Sequence, residues 1–424
     1  RRQQVGGVAA APGGTSGVVS GAATDDAGSR ATRAGSGATA DAASRPDSTA
    51  APPATEVTCR DQVSTLADLD YELPAELIAQ DPMEPRDAAR LLVVGRDGRR
   101  VGGEAGGAPE AGFRDLRFAD LPALLRRGDV VVRNDTRVFR ARAFFRRGTG
   151  GRVEALFLRR LAAVRGEERW EALLRGRPRA GERLAAEEAP WWSVRCAESL
   201  GEGRWLPVSE SRRPVLDLLG EVGETPLPPY IHAVLADGER YQTTYARRVG
   251  SAAAPTAGLH FTREVDEALA AAGVTVEALT LHVGLGTFRP LQHERLDQNH
   301  LHGERFAVEA AVWRRIAAAR AAGRRVFAVG TTTVRTLEHL ALADIAVRDG
   351  DGEIIRGQTD LFIRPGFRFR VVDGLLTNFH LPRSSLLALV MAFAGVETTR
   401  AAYRHAVDAR YRFYSFGDAM LVLT

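Results

Sequence analysis

The sequence contains no lysine; all 57 basic residues are arginine. Schiff-base chemistry on a lysine amine is therefore excluded, and so is a phosphate loop that relies on lysine. What remains is the planar fork of arginine, which suits two-pronged contacts to phosphate and carboxylate. Cysteine is almost missing too. Cys59 and Cys196 lie far apart, forming neither a disulfide framework nor a thiolate metal site, as expected for a reducing cytoplasm. No apolar run approaches the ~20 residues needed to span a bilayer, so the chain reads as soluble, without a membrane partner. A net charge of +4 permits an anionic partner without demanding one.

What is present is ordinary globular material with room for two domains and a tail. Residues 1–60 are rich in Ala, Gly, Ser and Thr, have no hydrophobic period, and do not begin with Met. They read as a disordered extension. From 61 to 137, and again from 227 to 424, strands alternate with helices, which argues a mainly parallel α/β sheet, open or closed into a barrel. Between them, residues 138–226 carry short, evenly spaced strands broken by Gly, Pro and charged turns. That texture predicts an inserted, small antiparallel β-barrel. No internal repeat is visible.

Polar residues collect where strands run into loops. The stretch Val371–Leu387 reads as a buried strand, then a tight turn carrying Asn378, Phe379 and His380, then an apolar helix capped by Ser384 or Ser385. Leu73–Ala79 and Leu116–Leu125 read as helical, and a helix is expected to start at Val334. Carboxyl ends of strands are where α/β sheets bind ligands. Four other junctions have the same character. Asn134-Asp135-Thr136-Arg137 follows one strand. The small residues around Thr256, leading to His260, allow close approach to backbone. His282 is followed by Gly284 and Gly286, without the third glycine of a dinucleotide loop. Thr331, Thr332 and Arg335 stand at a helix start, where free amides favour an anion or a ribose.

His300, His302 and Glu304 alternate, so in an extended strand they would share one face. That pattern suits either a metal site or an acid–base pair with an orienting carboxylate. Each feature also has a plain structural reading. His282 reads equally well as a hydrogen-bonded core histidine, the threonines as simple helix caps, and the aromatic stretch Tyr411–Met420 as packing.

Long strings then occur together in order: YELPAELIAQ, EPRDAARLLVV, NDTRVFRAR, LPPYI, RYQTTYA, APTAGLHFT, LTLHVGLGTFRP, HLHGE, VGTTTVRTLE, LLTNFHLPRSSLL and YRFYSFGDAM. From about Tyr71 to the C-terminus the chain resembles the S-adenosylmethionine:tRNA ribosyltransferase-isomerase family of queuosine biosynthesis. Phe416 stands where the family pattern leads one to expect tyrosine, and Leu301 where it leads one to expect methionine. The barrel region matches loosely, and the tail and Gly98–Gly112 fall outside the pattern.

The resemblance implies an α/β-barrel-like domain carrying a small β-barrel, with the site between them. It also implies a reaction. The ribosyl part of S-adenosylmethionine passes to an aminomethyl-deazaguanine at the tRNA wobble position and rearranges to epoxyqueuosine, releasing adenine and methionine. Such a reaction needs a base to remove a proton next to the sulfonium and an acid to protonate the departing adenine. His260, His282, His300, His302 and His380 are the candidates, with Glu304 orienting one of them. Arg137, Arg289 and Arg335 are candidates for tRNA phosphate or the methionine carboxylate. No cofactor or metal is expected, and the enzyme is expected to act as a monomer. Two rival readings are a metal-dependent hydrolase built on His300, His302 and Glu304, and a non-catalytic RNA-binding protein.

Overall fold

Apolar runs buried on both faces build the centre of a nine-stranded sheet. In chain order the strands are β1 (Arg90–Gly95), β2 (Phe113–Arg117), β3 (Val130–Asn134) and β4 (Thr136–Val138). Six barrel strands follow: β5 (Arg142–Arg147), β6 (Arg152–Arg160), β7 (Trp170–Arg175), β8 (Arg183–Ala186), β9 (Ser193–Gly201) and β10 (Arg204–Ser209). The chain then adds β11 (Arg248–Ser251), β12 (Thr275–Leu281), β13 (Glu304–Glu309), β14 (Val326–Val329), β15 (Ile354–Thr359), β16 (Gly374–Asn378) and β17 (Ala419–Leu423). The helices are α1 (Leu121–Leu124), α2 (Val215–Val222), α3 (Arg263–Ala271), α4 (Ala310–Ala321), α5 (Thr331–Leu342), α6 (Ser385–Ala394) and α7 (Val396–Asp408). This computed structural model describes residues 63–99, 112–163, 167–233, 235, 237–284, 291–343 and 353–424. They belong to one compact unit. The expected tail, 1–60, lies outside the described residues, as does most of the glycine-rich stretch after Gly98.

The sheet order is β15-β13-β12-β3-β14-β16-β17-β1-β2. It is mixed. β12, β3, β14 and β16 run parallel to their neighbours at the centre, and β17 runs parallel to β1. The remaining pairings, toward the two edges, are antiparallel. Side-chain alternation divides the core in two. Val130, Val132, Leu279, Ala328 and Leu375 face one layer, which α4 to α7 cover with Ile316, Val334, Leu337, Leu389 and Tyr403. Val131, Phe327, Val329 and Leu376 face the other, covered by Leu121 of α1 and by Val265 and Leu269 of α3. α6 shows the cost of removing such a contact: seven of its ten side chains are buried, each large one contributing roughly 1.5–3 kcal/mol. Ser384 caps it by accepting from the Leu387 amide at 3.2 Å, and Gly395 ends it at φ 93°. A side chain at that angle is strained.

The barrel closes in the order β10-β7-β6-β5-β8-β9. Phe145, Phe157, Trp170 and Trp192 fill it, and α2 plugs it with Val215, Leu218 and Leu219. Alternate residues of β6 are buried, as a small barrel requires.

Three local expectations differ from the structure. Leu116 and Arg117 are strand, not helix, because they pair with Leu91 and Arg90 of β1. Only a single 3-10 turn, Ala75–Leu77, forms where a longer helix is expected. α5 starts at Thr331 rather than Val334. Two of its hydroxyls bond back to carbonyls four residues earlier, Thr333 to that of Val329 at the end of β14 at 2.7 Å and Thr336 to that of Thr332 at 3.0 Å. Among the described residues no single helix is long and apolar enough to cross a membrane.

Candidate active site

β12, β3, β14 and β16 share one direction, so their carboxyl ends meet at one edge of the sheet. The segments that follow bring together Asn134, His282, Thr331 and His380. Asn134 ties this edge together. Its Nδ2 donates to the Leu281 carbonyl at 2.9 Å and to Thr332 Oγ1 at 3.3 Å, and its Oδ1 accepts from the amides of Leu281 and Thr136. The side chain spans β3, β12 and the first turn of α5, and its bonds are spent on architecture.

Cavities open along this edge. One, about 260 Å³, lies between barrel and sheet. Arg159, Glu171 and Arg204 line it from the barrel; Gly250, His282, Gly284, His302, Glu304 and Arg305 line it from the sheet side. A smaller one, about 50 Å³, is walled by Thr256, Gly330, Thr331, Thr332, Asn378, His380 and Tyr414. The two share Val283. A third, about 20 Å³, holds His260 and meets the second at Ser415.

The five histidines occupy different surroundings. His282 follows the end of β12, its Nδ1 2.8 Å from Thr136 Oγ1. Burial, then the nearby Arg305 and Arg248, lower its pKa; Asp135 opposes them. His302 is exposed and sits in a loop along the large cleft. His300 is exposed in the same loop. Neither belongs to a strand: β13 begins only at Glu304, paired with Thr359, so the shared strand face expected for these three residues does not form. His380 is buried, with Nε2 2.9 Å from Thr377 Oγ1, and burial pushes its pKa down to about 3. His260 is buried against Phe118; burial, then Arg86 and Arg412, take it down to about 4. Both are therefore neutral at ordinary pH.

Glu304 accepts from the Gly284 amide at 3.0 Å and pairs with Arg335. Both side chains are almost fully buried, at 4% and 5% exposure. Arg335 also donates to the carbonyls of Leu361 and Thr359. Its guanidinium is thus committed inside the protein. Arg137 pairs with Glu239. Gly286 and Arg289 lie outside the described residues. Among the described residues no group of three His, Cys, Asp or Glu side chains is placed to hold a metal ion.

Several residues of these cavities had no signal in the sequence. Arg159, Glu171 and Arg204 lie on barrel strands, where alternating charges read as a solvent face. Arg159 grips Glu171 at 2.6 Å, and Arg204 reaches the same carboxylate at 3.5 Å. Tyr414 has φ 74°, a backbone state that bulky side chains adopt only under constraint. Positive φ in such a residue is invisible in composition.

The model of the family described as queuosine biosynthesis protein matches residues 66–422. The chain belongs to this family. It is 49% identical over 361 residues to the S-adenosylmethionine:tRNA ribosyltransferase-isomerase of Symbiobacterium thermophilum, covering 84% of this chain and 99% of that protein. It is 48% identical over 363 residues to the one from Moorella thermoacetica, with the same coverage. A crystal structure of S-adenosylmethionine tRNA ribosyltransferase from Thermotoga maritima aligns with 84% of this chain and 100% of that one, at 37% identity and a TM-score of 0.46. The family match over residues 66–422 spans both the mixed sheet and the barrel.

Proposed function

We infer that the protein is an S-adenosylmethionine-dependent tRNA ribosyltransferase-isomerase. It transfers the ribosyl part of S-adenosylmethionine to the aminomethyl-deazaguanine at the wobble position of tRNA and isomerises it to epoxyqueuosine, with adenine and methionine released. Family membership supports this over most of the chain. At the site, one observation carries it: a small cavity of about 50 Å³ and a larger one of about 260 Å³ adjoin at Val283. A transfer between a small cosubstrate and a nucleotide of a macromolecule needs that pair of volumes side by side.

Charge supports the same assignment of the two volumes. The cleft carries Arg159, Arg204 and Arg305 against Glu171, while Glu304 is already neutralised by Arg335. The excess positive charge suits a polyanion. His282 and His302 are the histidines on this cleft. We assign the proton traffic to them: one takes the ribosyl proton beside the sulfonium, and the other delivers a proton to the departing adenine. His260 and His380, buried and neutral, hold their surroundings in place. The leaving sulfonium and a protonated adenine need no Lewis acid, so activity is expected to persist in a chelator. The enzyme is proposed to act in the cytoplasm as a monomer.

The deciding assay incubates the full chain with S-adenosylmethionine and tRNA bearing the precursor base. Adenine and methionine should appear in equal amounts, together with the modified nucleoside. A folded protein that releases neither would refute the assignment.

A further inference from the structure

The small cavity holds a polar atom without a partner. Asn378 is the last residue of β16 and is 2% exposed. Its Nδ2 faces the Tyr414 carbonyl at 3.0 Å, a group that only accepts, so the amide cannot be turned over. The same nitrogen lies 3.3 Å from His260 Nε2, which makes that ring nitrogen the acceptor and puts the ring proton on Nδ1. With both of its hydrogens directed away, the amide leaves Oδ1 for the cavity, and Oδ1 has no hydrogen-bond partner among the described residues. A buried acceptor left so is unfavourable unless something donates to it.

Thr331 and Thr332, in the opening turn of α5, line the same cavity. This helix has twelve residues and no side-chain cap. Its first i→i−4 bond is that of Val334 to Gly330, so the amides of Thr331, Thr332 and Thr333 precede the ladder and are free to bind an anion. Gly330 enters at φ 83°, which lets the backbone turn into the helix without a side chain over these amides.

A ligand that satisfies both features must carry a negative group and an N–H donor a few ångströms apart. We propose that this cavity holds the α-amino-carboxylate end of S-adenosylmethionine, with its carboxylate on the α5 amides and its ammonium donating to Asn378 Oδ1. The proposal rests on the function assigned above and deepens it by fixing which end of the cosubstrate is buried. Size agrees. About 50 Å³ admits roughly three to five water-sized groups at 10–15 Å³ each, which matches a five-atom zwitterion better than a ten-atom purine. The sulfonium and ribose then extend past Val283 into the large cleft, toward His282.

The test is equilibrium binding to the full chain, with and without unmodified tRNA. The ligands are S-adenosylmethionine, its analogue lacking only the carboxylate, its analogue lacking only the ammonium, and the adenosyl dimethylsulfonium that lacks the whole arm. Each deletion should weaken binding by on the order of 10- to 100-fold. Asn378→Leu should weaken S-adenosylmethionine similarly, yet leave the analogue without the ammonium unchanged. If the armless analogue binds as tightly as S-adenosylmethionine, or Asn378→Leu weakens both ligands equally as a purine contact would, the proposal falls. The comparison of ligands on the unaltered chain decides the matter even if the variant does not fold. An enzyme that releases adenine and methionine but ignores the arm would overturn this inference alone; one that neither binds nor turns over S-adenosylmethionine would overturn the assigned function with it.

Discussion

The backbone of Gly250 lies against the imidazole of His282. A Cβ placed on residue 250 would stand 2.7 Å from Cε1 and 2.8 Å from Nε2, and Gly250 has φ 152°. No ordinary side chain fits there without moving the ring. Gly250→Ala should therefore push His282 off its contact with Thr136 Oγ1. Displacement of a catalytic group by about an ångström costs up to ~100-fold in rate. The expected result is a turnover number lowered at least ten-fold with tRNA affinity almost unchanged. Equal rates for variant and parent would remove His282 from the proton traffic.

The buried histidines make stability depend on pH. In the unfolded chain they titrate near the ordinary value of about 6.5, whereas in the fold His260 lies at about 4 and His380 at about 3. Between those values the unfolded state binds more protons, so stability rises with pH. It is fully present above 6.5 and is lost as the pH falls toward 4 and then 3. The melting temperature should drop on acidification from pH 7 to 5. His380→Gln, which removes one titrating ring, should flatten that slope; an unchanged slope would contradict the burial argument.

Glu304 and Arg335 form a buried pair, and neither has water to fall back on. Glu304→Gln alone strands a cation and should destabilise the fold by about 3–5 kcal/mol. Arg335→Met alone strands a carboxylate, with a similar cost. The double variant should lose less than the two singles combined. Denaturant unfolding of the four proteins measures this. Simple additivity would mean that the pair is not coupled.

Arg305 lies in the large cleft, and among the described residues its guanidinium makes no hydrogen bond or ion pair. If tRNA phosphate occupies the cleft, Arg305→Ala should weaken tRNA binding and reduce the slope of log K against log salt by about 0.7–0.9. Binding of S-adenosylmethionine should not change. A salt slope identical to the parent's would place the RNA elsewhere.

The polar junctions at the ends of β3, β12, β14 and β16 were legible because each leaves a local mark. An apolar run stops, and Asn, His, Thr or Gly follows. Asn378, His282 and Thr331 could be picked out this way without knowing which strands are neighbours. The state of each side chain was not legible. His300 and His302 alternate in sequence like strand residues, but pairing with β15 begins only at Glu304, so they fall in a loop. Arg335 stands near a helix start as an anion ligand would, but Glu304, thirty-one positions away, claims it.

By itself, the sequence determined the α/β alternation, the inserted barrel and the family, because these follow from periodicity and from long strings of residues that need no partner to be read. Tertiary structure alone decided which histidines are neutral, which arginines are already spent, and which atom is left without a partner. Those properties arise from burial and from contacts between segments far apart in the chain, and no local pattern encodes them.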